Sequence, residues 1–84
     1  MPTILYINGW RIFFYSNESN EPIHVHVQKA ETEAKFWIRE DRYDIEESFA
    51  FNMSPQDRKE IRKLIFNHFD YIVEKWNEFQ NRKK

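Results

Sequence analysis

Asn20-Glu21-Pro22-Ile23-His24-Val25-His26-Val27 is the run whose reading decides the fold. After the proline, imidazoles alternate with branched aliphatics, and a period of two is the pattern of a strand with one face in a core. His24 and His26 then share one face of that strand, and Ile23, Val25 and Val27 share the other. Residues 33–39 alternate in the same way, with Lys29-Ala30-Glu31-Thr32 connecting the two runs. A hairpin that sets Gln28 opposite Glu33 also sets His26 opposite Lys35 and His24 opposite Trp37. Residues directly opposite lie on one face. Ile23, Val25, Val27, Ala34, Phe36 and Ile38 form the core side, and His24, His26, Lys35, Trp37 and Arg39 form the other. A slip of one residue would invert the two faces.

Upstream, residues 3–7 and 10–15 are rich in β-branched and aromatic side chains and flank Asn8-Gly9, the strongest short signal for a two-residue type I′ turn. That turn pairs Ile7 with Trp10, Leu5 with Ile12 and Thr3 with Phe14. Leu5, Ile7, Trp10, Ile12 and Phe14 make a core face, and the opposite face carries Ile4, Tyr6, Arg11, Phe13 and Tyr15. Residues 16–22 read as a polar loop. Downstream, residues 40–52 read as a short helix or a loop whose aromatics cover the core edge. Ser54-Pro55-Gln56-Asp57 then supplies an N-cap hydroxyl, a proline at the first helical position and an acid three residues after the cap. The helix is predicted to run from Pro55 to about Gln80 and to end in a basic tail, with Ile61, Leu64, Ile65, Phe69, Ile72, Trp76 and Phe79 at helical spacing.

Such a helix would be about 39 Å long, whereas strands of ordinary length span about 17 to 20 Å. Its apolar arc, from Tyr71 through Ile72 and Phe69 to Phe66, covers roughly 220°, more than one sheet requires. Either the helix breaks near Asn67-His68 and folds back, or a partner covers the excess. The expected architecture is α+β: a four-stranded antiparallel sheet of two hairpins, covered on its aliphatic face by a long C-terminal helix. It is one domain over 1–84, with the sheet in 3–39, a connecting segment in 40–53, the helix in 54–80 and the tail in 81–84.

Eighty-four residues are about the least that a single core can sustain, and eight Phe, four Tyr and three Trp supply its bulk. With no cysteine there is no disulfide framework and no thiolate zinc site. The N-terminus has neither the basic start nor the long apolar run of a signal peptide or a membrane span, so a cytoplasmic protein is expected. A net charge of −1 argues against a surface that is basic throughout and leaves room for a local phosphate-binding patch. The one glycine belongs to the turn, so there is no phosphate-cradling loop.

Several motifs occur in an order that resembles a known family. They are Met1-Pro-Thr-Ile-Leu5, Arg11-Ile-Phe-Phe-Tyr-Ser-Asn-Glu18, Glu21-Pro-Ile-His-Val-His-Val27, Ala34-Lys-Phe-Trp-Ile38 and Glu74-Lys-Trp-Asn-Glu-Phe79. Together they resemble the bacterial domain-of-unknown-function 4160 family over nearly the whole chain. The resemblance implies small bacterial or phage-borne proteins, often encoded beside another small protein and suspected to be parts of toxin–antitoxin modules. His24 and His26 map onto the family's His-x-His segment. His68 has no counterpart in that pattern.

Three kinds of function fit the histidine face. In a metal-independent ribonuclease, His24 and His26 would act as general base and acid, Lys35, Arg39 and Arg11 would stabilise phosphorane charge, and Trp37, Tyr6 or Tyr15 would stack an unpaired base. In a metal site, His24 and His26 would need a third ligand from His68 or a carboxylate such as Glu33. In a binding module, the same mixture of aromatic rings and cations would meet a protein partner or a second copy. The binding module is the reading carried forward, as a toxin–antitoxin-like component with no cofactor. The ribonuclease is its first alternative and metal binding its second.

Overall fold

The computed structural model describes residues 3–14 and 22–82. It consists of strands β1 (Thr3–Ile7), β2 (Trp10–Phe13), β3 (His24–Lys29), β4 (Thr32–Arg39) and β5 (Asp44–Phe51), followed by helices α1 (Pro55–Asn67) and α2 (Phe69–Arg82). The strands form one sheet in chain order, every neighbour antiparallel, and a single 3-10 turn at Glu40–Arg42 leads from β4 into β5.

The α+β class is as expected, but the sheet has five strands, not four, and two helices replace one. The fifth strand comes from the segment read as a short helix or loop. Its pairing with β4 shifts register between Lys35 and Phe36, so that Phe49 lies opposite Lys35 while Glu47 lies opposite Phe36. Ser48 is the extra residue of a bulge, which puts the apolar residues on either side of it out of phase. Only Ile45 of β5 is buried. Left-handed backbone marks both ends: Asn52 at φ 58° after the strand, a residue that tolerates it, and Tyr43 at φ 51° before the strand, a bulky residue that does not do so readily. Asn52 is tied to the neighbouring hairpin, its carbonyl accepting from the Thr32 hydroxyl at 2.9 Å and its amide donating to the Glu31 carbonyl at 3.3 Å.

Both hairpins keep the expected registers over most of their length. His24 lies opposite Trp37, His26 opposite Lys35 and Gln28 opposite Glu33, and a further pair, Lys29 with Thr32, shortens the turn to Ala30-Glu31. In the first hairpin Ile7 meets Trp10 and Leu5 meets Ile12, with Asn8 and Gly9 at φ 53° and 82°, as a type I′ turn requires. Beyond Leu5 the ladder is irregular, and Thr3 meets Phe13 instead of Phe14. Ile4, expected opposite the core, is buried in it.

The capping box at Ser54 forms, with Ser54 Oγ accepting from the Asp57 amide at 3.0 Å and Asp57 Oδ2 accepting from the Ser54 amide at 3.5 Å. The helical run stops at His68, whose φ of −117° and ψ of 23° leave the helix, and the ring fills the gap by donating from Nδ1 to the Leu64 carbonyl at 2.9 Å. This break takes up most of the wide apolar arc, while Tyr71 at one edge stays exposed and Phe66 at the other is partly buried. Ile61, Leu64 and Ile65 of α1 and Phe69, Ile72 and Trp76 of α2 all join the core with Trp10, Ile12, Val25, Val27 and Phe36. Both hairpins are pinned to α1 through Glu60, whose Oε1 accepts from Trp10 Nε1 of the first at 2.7 Å and from Lys29 Nζ of the second at 3.2 Å. The Trp10 N–H, then Lys29, holds the Glu60 carboxyl below its ordinary range.

Candidate binding face of the sheet

The helices cover one face of the sheet, and the candidate residues lie on the other. Cross-strand pairing arranges that face in rows. Tyr6, Arg11, Gln28, Glu33 and Phe51 follow one another across the five strands; the next row is Phe13, His26, Lys35 and Phe49. His24, Trp37 and Glu46 form a third row, beside the pair Arg39 and Asp44.

Ring and cation contacts run through these rows. The Arg11 guanidinium lies 4.5 Å above the Phe13 ring, and Phe13 stacks on His26 with centroids 5.6 Å apart and planes at 25°. His26 meets the edge of His24 at 5.3 Å, and His24 meets Trp37 at 5.5 Å. The Trp37 ring carries Lys35 Nζ at 4.4 Å and the Arg39 guanidinium at 6.0 Å, within reach of cation–π attraction. Arg39 also pairs with Glu46 at 3.4 Å, while its Nε is buried and has no hydrogen-bond partner among the described residues. A recess of about 20 Å³, room for one water, lies between Phe13, His26, Glu33 and Phe49.

His24 departs from the expected exposed position. It is 0 % exposed, because Trp76 of α2 packs against its ring at 5.1 Å while Nδ1 donates to the Pro22 carbonyl at 2.9 Å. His24 therefore bridges the outer face and the helical layer. His26, Lys35, Trp37, Arg39 and Arg11 are half-buried, and Tyr6 is 73 % exposed. Tyr15 lies outside the described residues. Among the described residues no three His, Asp or Glu side chains converge as a metal cluster, and His68 is engaged at the helix break. Proton transfer between two imidazoles at a bound substrate needs both rings within reach of it, and here His26 alone reaches the surface.

Two components of the face come from the unforeseen strand. Phe49 and Phe51 are 48 % and 64 % exposed, and β5 also brings Asp44 and Glu46. The alternation Phe49-Ala50-Phe51 was the available signal, obscured by the bulge before it. With these acids included, Arg11, Lys35 and Arg39 are matched in number by Glu33, Asp44 and Glu46, so the face carries both signs of charge.

Residues 9–77 match the family described as "Domain of unknown function (DUF4160)". No curated protein and no solved structure matches the chain. Among the described residues no helix is long and apolar enough to cross a membrane.

Proposed function

The chain belongs to the DUF4160 family, and from that premise we propose that it binds a partner protein through the outer face of its sheet, as one component of a toxin–antitoxin-like module in the cytoplasm. The observation that carries the reading is the composition of that face. Tyr6, Phe49 and Phe51 are exposed beside cation-covered rings, with acids and bases interspersed. Exposed aromatics with arginine and a mixed polar surround are what a protein interface uses. A surface for an RNA backbone would carry an excess of cations, which the balance of Arg11, Lys35 and Arg39 against Glu33, Asp44 and Glu46 does not supply. The module role rests on the family resemblance, which implies proteins often encoded beside another small protein.

One observation keeps the ribonuclease alternative in view: His26 lies opposite Lys35 and beside Trp37's row, so one imidazole and one ammonium share the surface. The experiment is induced expression of the chain and of His26→Ala, with and without the adjacent gene, followed by co-purification and inspection of total RNA. Co-purification of the adjacent product with RNA intact in every case is the expected result. RNA cleavage that disappears in His26→Ala would replace the binding reading with the enzymatic one.

A further inference from the structure

Strand β5 is the last in the sheet, and among the described residues no strand pairs with its far side. Alternate residues of such a strand turn their N–H and C=O groups outward, where another chain can pair with them; at Ile45 the amide already donates to Asp44 Oδ1 at 2.8 Å, so an added strand displaces that bond. The strand is eight residues long, as long as β4, and mostly exposed. Its outer-face side chains are Asp44 and Glu46, then Phe49 and Phe51 beyond the bulge. On the helix side Glu47 is already held by Arg58, with Arg58 Nε at 2.8 Å from Oε1.

Charge decides what this edge can accept. Every charged residue of β5 is an acid, and β5 of a second copy, paired antiparallel over its full length, sets Asp44 opposite Phe51 and Glu46 opposite Phe49, so it offers neither acid a base. The other edge strand, Thr3–Ile7, contains no basic residue either. Neither edge of a second copy complements β5. We propose that β5 is a docking edge on which an extended segment of a different protein adds as a sixth strand, with lysine or arginine over Asp44 and Glu46 and apolar side chains over Phe49 and Phe51. This deepens the partner-binding reading and rests on it. Backbone pairing supplies the affinity in strand addition, and the alternate side chains supply the selectivity.

The test uses the full chain and two synthetic octapeptides with threonine at every second position. The positions between hold two phenylalanines and two lysines in the first peptide, and two phenylalanines and two glutamates in the second. The lysine peptide is expected to bind about tenfold more tightly, from two cross-strand charge pairs made attractive instead of repulsive. Its binding should slow hydrogen exchange at alternate amides of residues 44–51, and Asp44→Lys/Glu46→Lys should reverse the preference. Equal affinity for the two peptides, or binding that leaves the β5 amides fast, overturns the proposal. So does a free chain that is dimeric with those amides already slow, which assigns the edge to a second copy. If the adjacent gene's product binds and is sensitive to Tyr6→Ser while the β5 amides stay fast, the outer-face reading stands and the edge assignment falls. If that product does not bind at all, the outer-face reading itself falls.

Discussion

His24 and His26 are two residues apart on one strand, yet substitution should separate them. His24 is sealed among Trp37, Trp76 and His26 with its N–H given to Pro22, so His24→Ala loses a buried hydrogen bond and several ring-edge contacts. We expect a cost of about 2–3 kcal/mol. His26 is half-buried on the outer face, and His26→Ala should cost under about 1 kcal/mol. Urea denaturation of the two single variants checks this, and equal losses would contradict the sealed position of His24. Glu60 offers a second test at this scale. Its carboxyl is held below the ordinary value of 4.5 by the Trp10 N–H and by Lys29, so the ionised acid contributes stability above that value. The contribution is lost as pH falls through the ordinary value to the lowered one. Thermal midpoints of the wild type should therefore drop more steeply in acid than those of Glu60→Gln, and parallel curves would count against the bond. That His24 and His26 share a face was legible from alternation; the burial of His24 was not, because it depends on Trp76 from a distant helix.

At the scale of elements, local chemistry was readable wherever it was self-contained. Asn8-Gly9 specified its turn, Ser54-Pro55 specified its helix start, and the phase of His24-Val25-His26-Val27 specified the β3–β4 register. The fifth strand was not readable, because its bulge breaks the alternation and an edge strand has little burial to enforce one. The helix break was legible as one of two ways to use a wide apolar arc, and His68 executes it. Two substitutions test these elements. Ser54→Ala removes the acceptor for the Asp57 amide and should cost about 1 kcal/mol. Gly9→Ala places a side chain at φ 82°, where glycine alone is unstrained, and should cost about 1 kcal/mol. Denaturant midpoints measure both, and a neutral Gly9→Ala would contradict the assigned turn.

Across the whole molecule, one layer of helices covers one face of a five-stranded sheet and, among the described residues, leaves the other face to its own side chains. That uncovered face holds Tyr6, Phe49 and Phe51, which a chain of 84 residues would gain by burying against a partner. The outward position of His26, Lys35 and Trp37 followed from the sequence, whereas the burial of His24 and the face's balance of charge did not, since Trp76 comes from a distant helix and Asp44 and Glu46 arrive on the unforeseen strand. The central claim is most directly tested by calorimetric titration of the chain with the neighbouring small protein that the family resemblance implies. Wild type, Tyr6→Ser/Phe49→Ser/Phe51→Ser and the helix-side control Tyr71→Ser would be compared after circular dichroism has established that each is folded. The expected result is binding by wild type and by the control, weakened at least about tenfold in the triple variant. Unchanged affinity in the triple variant, or a loss confined to Tyr71→Ser, would contradict an interface on the outer face of the sheet.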